Sequence, residues 1–367
     1  RMRKAAEIAA DKQGATPELV PDWRELIARD DIDAVVVSTP DHWHVPCAIA
    51  ALRAGKDVFS EKPLTLTIDE GKQLAAAARA SDRITITGSE NRSKPNFLAA
   101  CEYVRNGRIG ALETIRTYLP GGWSIRDRQW LPEEVYDVEH NLTKAQPVPE
   151  GFDYDMWLGP APDAPYHPAR CHWNFRWLFD YSGGNLTDWG AHILDIAQWG
   201  NDTERTGPVS AQGTGELAAH PLYNTYTAWH IEYDYANGVH LTCDSVPKDA
   251  KVSRARVRFE GKDGWIECDW DNIQASDKAI LNEPLGEKDV RLRTNPKAEH
   301  RDFLDCVRSR KPTYAPFEVG HRTISIAHLG HIALRLGRKL RWDPEQEVFP
   351  DDDCANAYLS RQRREPW

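Results

Sequence analysis

The stretch AVVVSTPDHWH, residues 34–44, joins a continuous β-branched run to a polar, aromatic turn across Pro40. A run with no polar alternation predicts a strand buried on both faces, the habit of a parallel sheet. Outward from it, HVPCAIAALRAGK (44–56) reads as a helix stopped at Gly55. DVFSEKP (57–63) is a second short strand ending in proline, and ITITG (84–88) a third. Between them, residues 65–82 predict a helix on which Thr67 and Glu70 have capping-box spacing. Upstream, residues 3–11 form an alanine-rich helix, and a short helix starts near Asp22. Downstream, NFLAACEYVRNGRIG (96–110) is helical and ALETIRTYL (111–119) extended. Alternating strand and helix through about residue 110 means an open parallel sheet with right-handed crossovers. Ligands of such sheets bind at the carboxyl ends of the strands. Here two of those ends carry the loaded turns STPDHWH and SEKP.

The texture then changes. From Pro120 to Tyr181 proline, glycine, tryptophan and arginine dominate, and periodicity is weak. A long irregular segment inside a compact protein is usually functional. Two alternating stretches follow, 227–246 and 255–270, turning at Asn237-Gly238 and Lys262-Asp263-Gly264. They predict antiparallel hairpins in a second sheet. Helices over 298–310 and 319–338 close the chain.

The 367 residues suit two domains. A net charge of −10 without a basic patch excludes ordinary nucleic-acid binding. No apolar run approaches the roughly 20 residues of a membrane span. The seven cysteines are scattered, without finger or CxxC spacing, which argues against a disulfide framework or structural zinc and fits a reducing compartment.

The chemistry gathers in three places. Lys62 ends a buried strand beside Glu61; it is either a solvated turn lysine or one tuned in a cleft. GGNLTDWGAHILDIAQW (183–199) predicts a helix with Asp188, His192 and Asp195 on one face. That line could be a structural pair, metal ligands completed by His42 or His44, or an acid-base pair in which the aspartate steadies the imidazole. The tryptophans and arginines of 120–181, among them Trp123, Trp130, Trp157, Trp173, Trp177, Arg126, Arg128, Arg170 and Arg176, suit either a core or a pocket. In a pocket the indoles would stack on sugar rings and the arginines would meet a carboxylate or phosphate.

Taken in order, STPDHWH, AGKDVFSEKPLTLTIDEG, the GSENR turn at 88–92 and the 183–199 helix resemble the Gfo/Idh/MocA oxidoreductase family over nearly the whole chain. The resemblance implies an α/β protein: a partial Rossmann parallel-sheet domain (1–117), an α+β domain with a large open, mostly antiparallel sheet (118–345), and a C-terminal tail (346–367). It implies NAD or NADP as cofactor along Thr39, Pro40, His44, Glu61 and Lys62, and catalysis by Lys62, Asp188 and His192, with no metal. His192 would move the hydroxyl proton, Lys62 would polarise the oxygen, and Asp195 would support His192. Substrate contacts would come from Arg92, Trp173, Arg176, Trp177 and Asp188. The substrate would be a sugar, polyol or related carbohydrate. A glycoside hydrolase or lyase that uses NAD transiently, and a non-catalytic carbohydrate-binding relative, are the alternatives. By analogy the chain would form a homo-oligomer, dimer or tetramer, without nucleic-acid or membrane partners, in the cytoplasm or the periplasm. The family's first strand, glycine-rich turn and second strand have no counterpart after Arg1, which reads as truncation or natural loss. Glu90 stands where many relatives carry Asn or Gln.

Overall fold

A computed structural model describes residues 2–122, 144–247 and 254–367. In chain order, helices α1 (Met2–Gln13) and α2 (Trp23–Ile27) lead into β1 (Ala34–Val37). Then come α3 (His44–Arg53), β2 (Asp57–Ser60), α4 (Ile68–Ser81), β3 (Thr85–Thr87) and α5 (Pro95–Arg105). The strands pair in parallel in the order β1-β2-β3. Local signals place these helices: the Asp22 carboxylate caps α2 by accepting from the Arg24 N–H, and Thr67 Oγ1 caps α4 by accepting from the Glu70 N–H at 3.2 Å. The Glu70 carboxylate completes a variant of the capping box, taking the N–H of Leu66 rather than of Thr67.

One expectation fails in β1. β2 is buried throughout, but β1 lies at the sheet edge and its Val36 is 55% exposed. The run is apolar, yet no described element covers the face that Val36 occupies.

The second sheet has eight strands. They are β4 (Leu112–Pro120), β5 (Ser210–Leu217), β6 (Tyr226–Asp234), β7 (His240–Val246), β8 (Arg256–Gly261), β9 (Gly264–Cys268), β10 (Ile273–Ala275) and β11 (Leu340–Arg341). Their order is β10-β9-β8-β4-β7-β6-β5-β11, and every pairing is antiparallel except β4 with β7. The expected hairpins are β6–β7 and β8–β9. A boundary at residue 117 would cut through β4, which belongs wholly to this sheet between β7 and β8. The C-terminal tail, 346–367, packs on the first domain. Leu359 accepts the Asp69 N–H, and Trp367 meets Trp43 edge-on at 5.2 Å, so this segment straps the first domain.

Against the second sheet pack α7 (Gly184–Asp188) and α8 (Gly190–Gly200), preceded in the chain by the short α6 (Tyr154–Leu158). The predicted single helix over 183–199 is thus two, meeting at Trp189. Short α9 (Lys278–Asn282), α10 (Ala298–Ser309), the long α11 (Phe317–Leu336) and short α12 (Asp353–Asn356) complete the fold. α11 packs on α4, α8 and β5 and so joins both domains. No described helix is long and apolar enough to cross a membrane, and none of the seven cysteines is in a disulfide.

Candidate active site

The DHW turn after β1 is clasped by the second domain. His42 Nε2 lies 2.9 Å from the Trp157 carbonyl, and Trp43 Nε1 donates to the carbonyls of Met156 and Trp157. Gly159 makes this approach possible: its φ is +50°, and a Cβ there would stand 2.1 Å from the Trp43 ring. His44 spans the two loaded turns, with Nδ1 2.8 Å from the Pro63 carbonyl and Nε2 2.9 Å from that of Thr39. Carbonyls thus engage His42 Nε2 and both ring nitrogens of His44. Among the described residues no three His, Cys, Asp or Glu side chains gather closely enough to hold one.

A cavity of about 730 Å³ opens at the carboxyl ends of β1 and β2. The first domain lines it with Ser38, Thr39, Pro40, Asp41, His44, Glu61 and Lys62. The irregular segment lines the other side with Trp157, Tyr166, His172, Phe175 and Arg176. Lys62 Nζ donates to Asp188 Oδ1 at 2.8 Å and to the Asp188 carbonyl at 3.2 Å. Arg176 Nε reaches the same Oδ1 at 3.6 Å. Burial alone would raise the Asp188 pKa, but the Lys62 and Arg176 charges and the Lys62 hydrogen bond prevail and hold it below the usual carboxylate range.

One helical turn on, the His192 ring lies 6.0 Å from those of Trp189 and Trp270. Burial, aided by the Lys62 charge and opposed by that of Asp188, pushes its pKa down to about 3, so the imidazole is neutral at physiological pH. Its Nδ1 is buried and has no hydrogen-bond partner among the described residues. A neutral ring beside an ammonium–carboxylate pair can exchange a proton with a group bound there.

The helix line thus divides. Lys62, Asp188 and His192 come together, but Asp195 turns away to other partners. It receives a bidentate contact from Arg92, at 2.7 and 2.8 Å, and a hydrogen bond from Thr323. Arg92 also holds Glu204 at 2.7 Å and the Tyr314 carbonyl. With both partners 1% exposed, Arg92 is an internal tie between the GSENR turn and α8, and the expectation of a substrate contact is corrected. Trp177 is corrected likewise. The 3-10 turn Asn174–Trp177 sends Arg176 to the cavity and Trp177 into a core with Leu158, Leu178 and Tyr223. Trp173 lies under the Arg176 guanidinium at 4.1 Å and braces it. Trp123, Arg126, Arg128 and Trp130 lie outside the described residues.

Sequence reading passed over Asp41, although it stands in the quoted turn. Its carboxyl is buried and accepts from Ser182 Oγ across the domains. Burial pushes it up to about 7, against the Ser182 bond and the Arg176 charge. The signal was present as an acid after a parallel strand, but only the fold reveals its burial.

Two family models match this chain: the NAD-binding Rossmann fold of an oxidoreductase family over residues 1–89, and the same family's C-terminal alpha/beta domain over 130–367. The chain belongs to the Gfo/Idh/MocA oxidoreductase family. Among similar curated proteins, the levoglucosan dehydrogenase of Pseudarthrobacter phenanthrenivorans is 38% identical over 104 residues, 28% of this chain and 26% of that one. A glycosyl hydrolase family 109 protein of Shewanella sp. (strain ANA-3) is 39% identical over 90 residues, 24% of this chain and 20% of that one. The matched stretches therefore span about a quarter or less of these relatives. Solved structures share the fold over most of the chain. The aldose-aldose oxidoreductase from Caulobacter crescentus, complexed with glycerol, aligns at TM-score 0.65 and 20% identity over 92% of this chain and 88% of its own. A levoglucosan dehydrogenase complexed with NADH and levoglucosan gives 0.65 and 18% over 92% and 87%.

The family's cofactor is a nicotinamide dinucleotide, and the cavity wall offers groups of the kind such a molecule needs. Thr39 Oγ1 is buried on the cavity wall with no partner among the described residues, free to meet a carboxamide or hydroxyl, and Pro40 beside it offers an apolar face.

Proposed function

We propose that this family member oxidises or reduces a carbohydrate alcohol by hydride transfer to or from NAD(P). The observation that carries the reading is the cluster of Lys62, ionised Asp188 and neutral His192, its Nδ1 without a partner among the described residues, at the cofactor end of the cavity. NAD(P), when bound, takes or gives the hydride. Lys62 Nζ donates to the reacting oxygen and stabilises its developing charge. His192 accepts the hydroxyl proton in oxidation and returns it in reduction. Asp188 fixes the ammonium by accepting from it. Trp157 and Phe175 give the sugar ring flat faces to lie against. The levoglucosan dehydrogenase similarity supports a carbohydrate substrate.

The Shewanella glycosyl hydrolase similarity favours a second reading on the same residues, in which oxidation is transient and a glycosidic bond breaks. Ultraviolet absorbance separates the two. Stoichiometric NADH formation with free sugars or polyols supports the first. Release of p-nitrophenol from nitrophenyl glycosides with no net NADH supports the second and overturns the first.

A further inference from the structure

We propose that the cavity takes a carbohydrate bearing one carboxylate, a uronate or aldonate, and that Arg176 holds that carboxylate. This rests on the oxidoreductase reading of the same site.

Among the described residues, negative charge is short around Arg176. Two cations, Lys62 and Arg176, reach a single oxygen, Asp188 Oδ1, and Lys62 takes the short bond: 2.8 against 3.6 Å. The other contacts of Arg176 do not neutralise it. Nη1 donates to the Trp173 carbonyl at 3.4 Å, and the guanidinium lies over the rings of Trp173 at 4.1 Å and Phe175 at 4.9 Å. Those rings fix the plane of the fork and lower its entropy without supplying a counter-ion. Arg92 shows what a satisfied arginine looks like in this fold: two carboxylates, Asp195 and Glu204, close around it.

The neighbouring acids do not make up the deficit. Asp41, on the cavity wall, is engaged by Ser182, and burial keeps much of it protonated near neutral pH. The Glu61 carboxylate lies over Gly88 at the end of β3, where a Cβ would stand 2.8 Å from its Oε2, and it accepts the Lys62 N–H. A braced guanidinium short of one negative charge, in a partly enclosed cavity, selects a singly charged planar anion, because its fork matches a carboxylate. A phosphate dianion would overshoot. Trp157 and Tyr166 beside it serve the ring of the same ligand.

The test uses D-glucuronate, D-galacturonate and D-gluconate against D-glucose, D-galactose and sorbitol. Binding is followed by calorimetry and turnover by NADH formation, in wild type, Arg176→Gln and Arg176→Lys. The wild type is expected to favour at least one acid over its neutral counterpart by ~10-fold or more in kcat/KM. Arg176→Gln should cut that ratio by roughly 10- to 100-fold, mainly through KM, as expected for a charge-assisted hydrogen bond lost. Arg176→Lys, which keeps the charge but not the fork, should fall between. Preference for the neutral compounds, binding of no acid, or an unchanged ratio in folded Arg176→Gln would overturn the proposal. If that variant does not fold, the wild-type ratio decides alone. Acids that bind through Arg176 without NADH forming would sink the oxidoreductase reading and leave this one standing. Neutral sugars oxidised in preference would do the reverse.

Discussion

Lys62 and Arg92 both meet an aspartate of the same helical line, yet the environment gives them different work. Lys62 and Asp188 are 19% and 13% exposed at a cavity, whereas Arg92 and Asp195 are each 1% exposed. Removing one member of a buried pair strands the other's charge, at about 3–5 kcal/mol. Arg92→Leu should therefore lose about that much stability in urea denaturation, because Asp195 and Glu204 would remain facing each other. A folded Arg92→Leu of normal stability but weakened sugar binding would return Arg92 to the substrate site. Sequence spacing placed Asp188, His192 and Asp195 on one helix face. It carried no sign that cations from two different turns would draw the aspartates into separate networks. The partners of Asp188 and Asp195 lie 126 and 103 residues away, and contacts at that range become visible only in the fold.

The element that aims the site is α7, and its start depends on Gly184. With φ at +65°, a side chain there is strained by about 1–2 kcal/mol, and its Cβ would also stand 2.8 Å from Thr225. Gly184→Ala should lower both Tm and kcat, since relief of the clash moves the short helix that ends in Asp188. Normal values of both would show that α7 is positioned by other contacts. At this scale most helices and both hairpins were legible, because caps, glycine stops and Asn-Gly or Asp-Gly turns act within a few residues. β4 was not. Its strand character is local, but its place between β7 and β8 depends on chain more than a hundred residues later. Trp177 was misread for a related reason: in a tight turn, neighbouring side chains diverge to cavity and core, and aromatic density alone does not say which goes where.

For the molecule as a whole, burial of neutral histidines sets the response to acid. Burial lowers His42, His192 and His331 to about 3 and His328 to about 4, from 6.5. Between those values the unfolded chain binds more protons than the native one, so stability falls as pH drops below about 6.5. Asp188, held low despite its burial, adds a loss of the same sign below about 3.8. Asp41 opposes them. Burial raises it to about 7 from 3.8, so in that window the native state binds the extra proton and gains as pH falls. Four histidines outweigh one carboxyl, and Tm should decline steadily from pH 6.5 to 4.5 in a scan of buffered samples. A flat or rising Tm would mean that these histidines are charged or solvated in the folded protein. The same union of domains makes the site, since Lys62 comes from the parallel sheet and Asp188 and His192 from the helices beneath the second sheet. The most direct test is turnover of Lys62→Met beside wild type, at matched thermal stability and saturating NAD(P), with NADH as the signal. The account predicts a kcat lower by roughly a hundredfold or more, the scale of a lost acid-base or electrostatic group; near-normal turnover by the folded variant would contradict it.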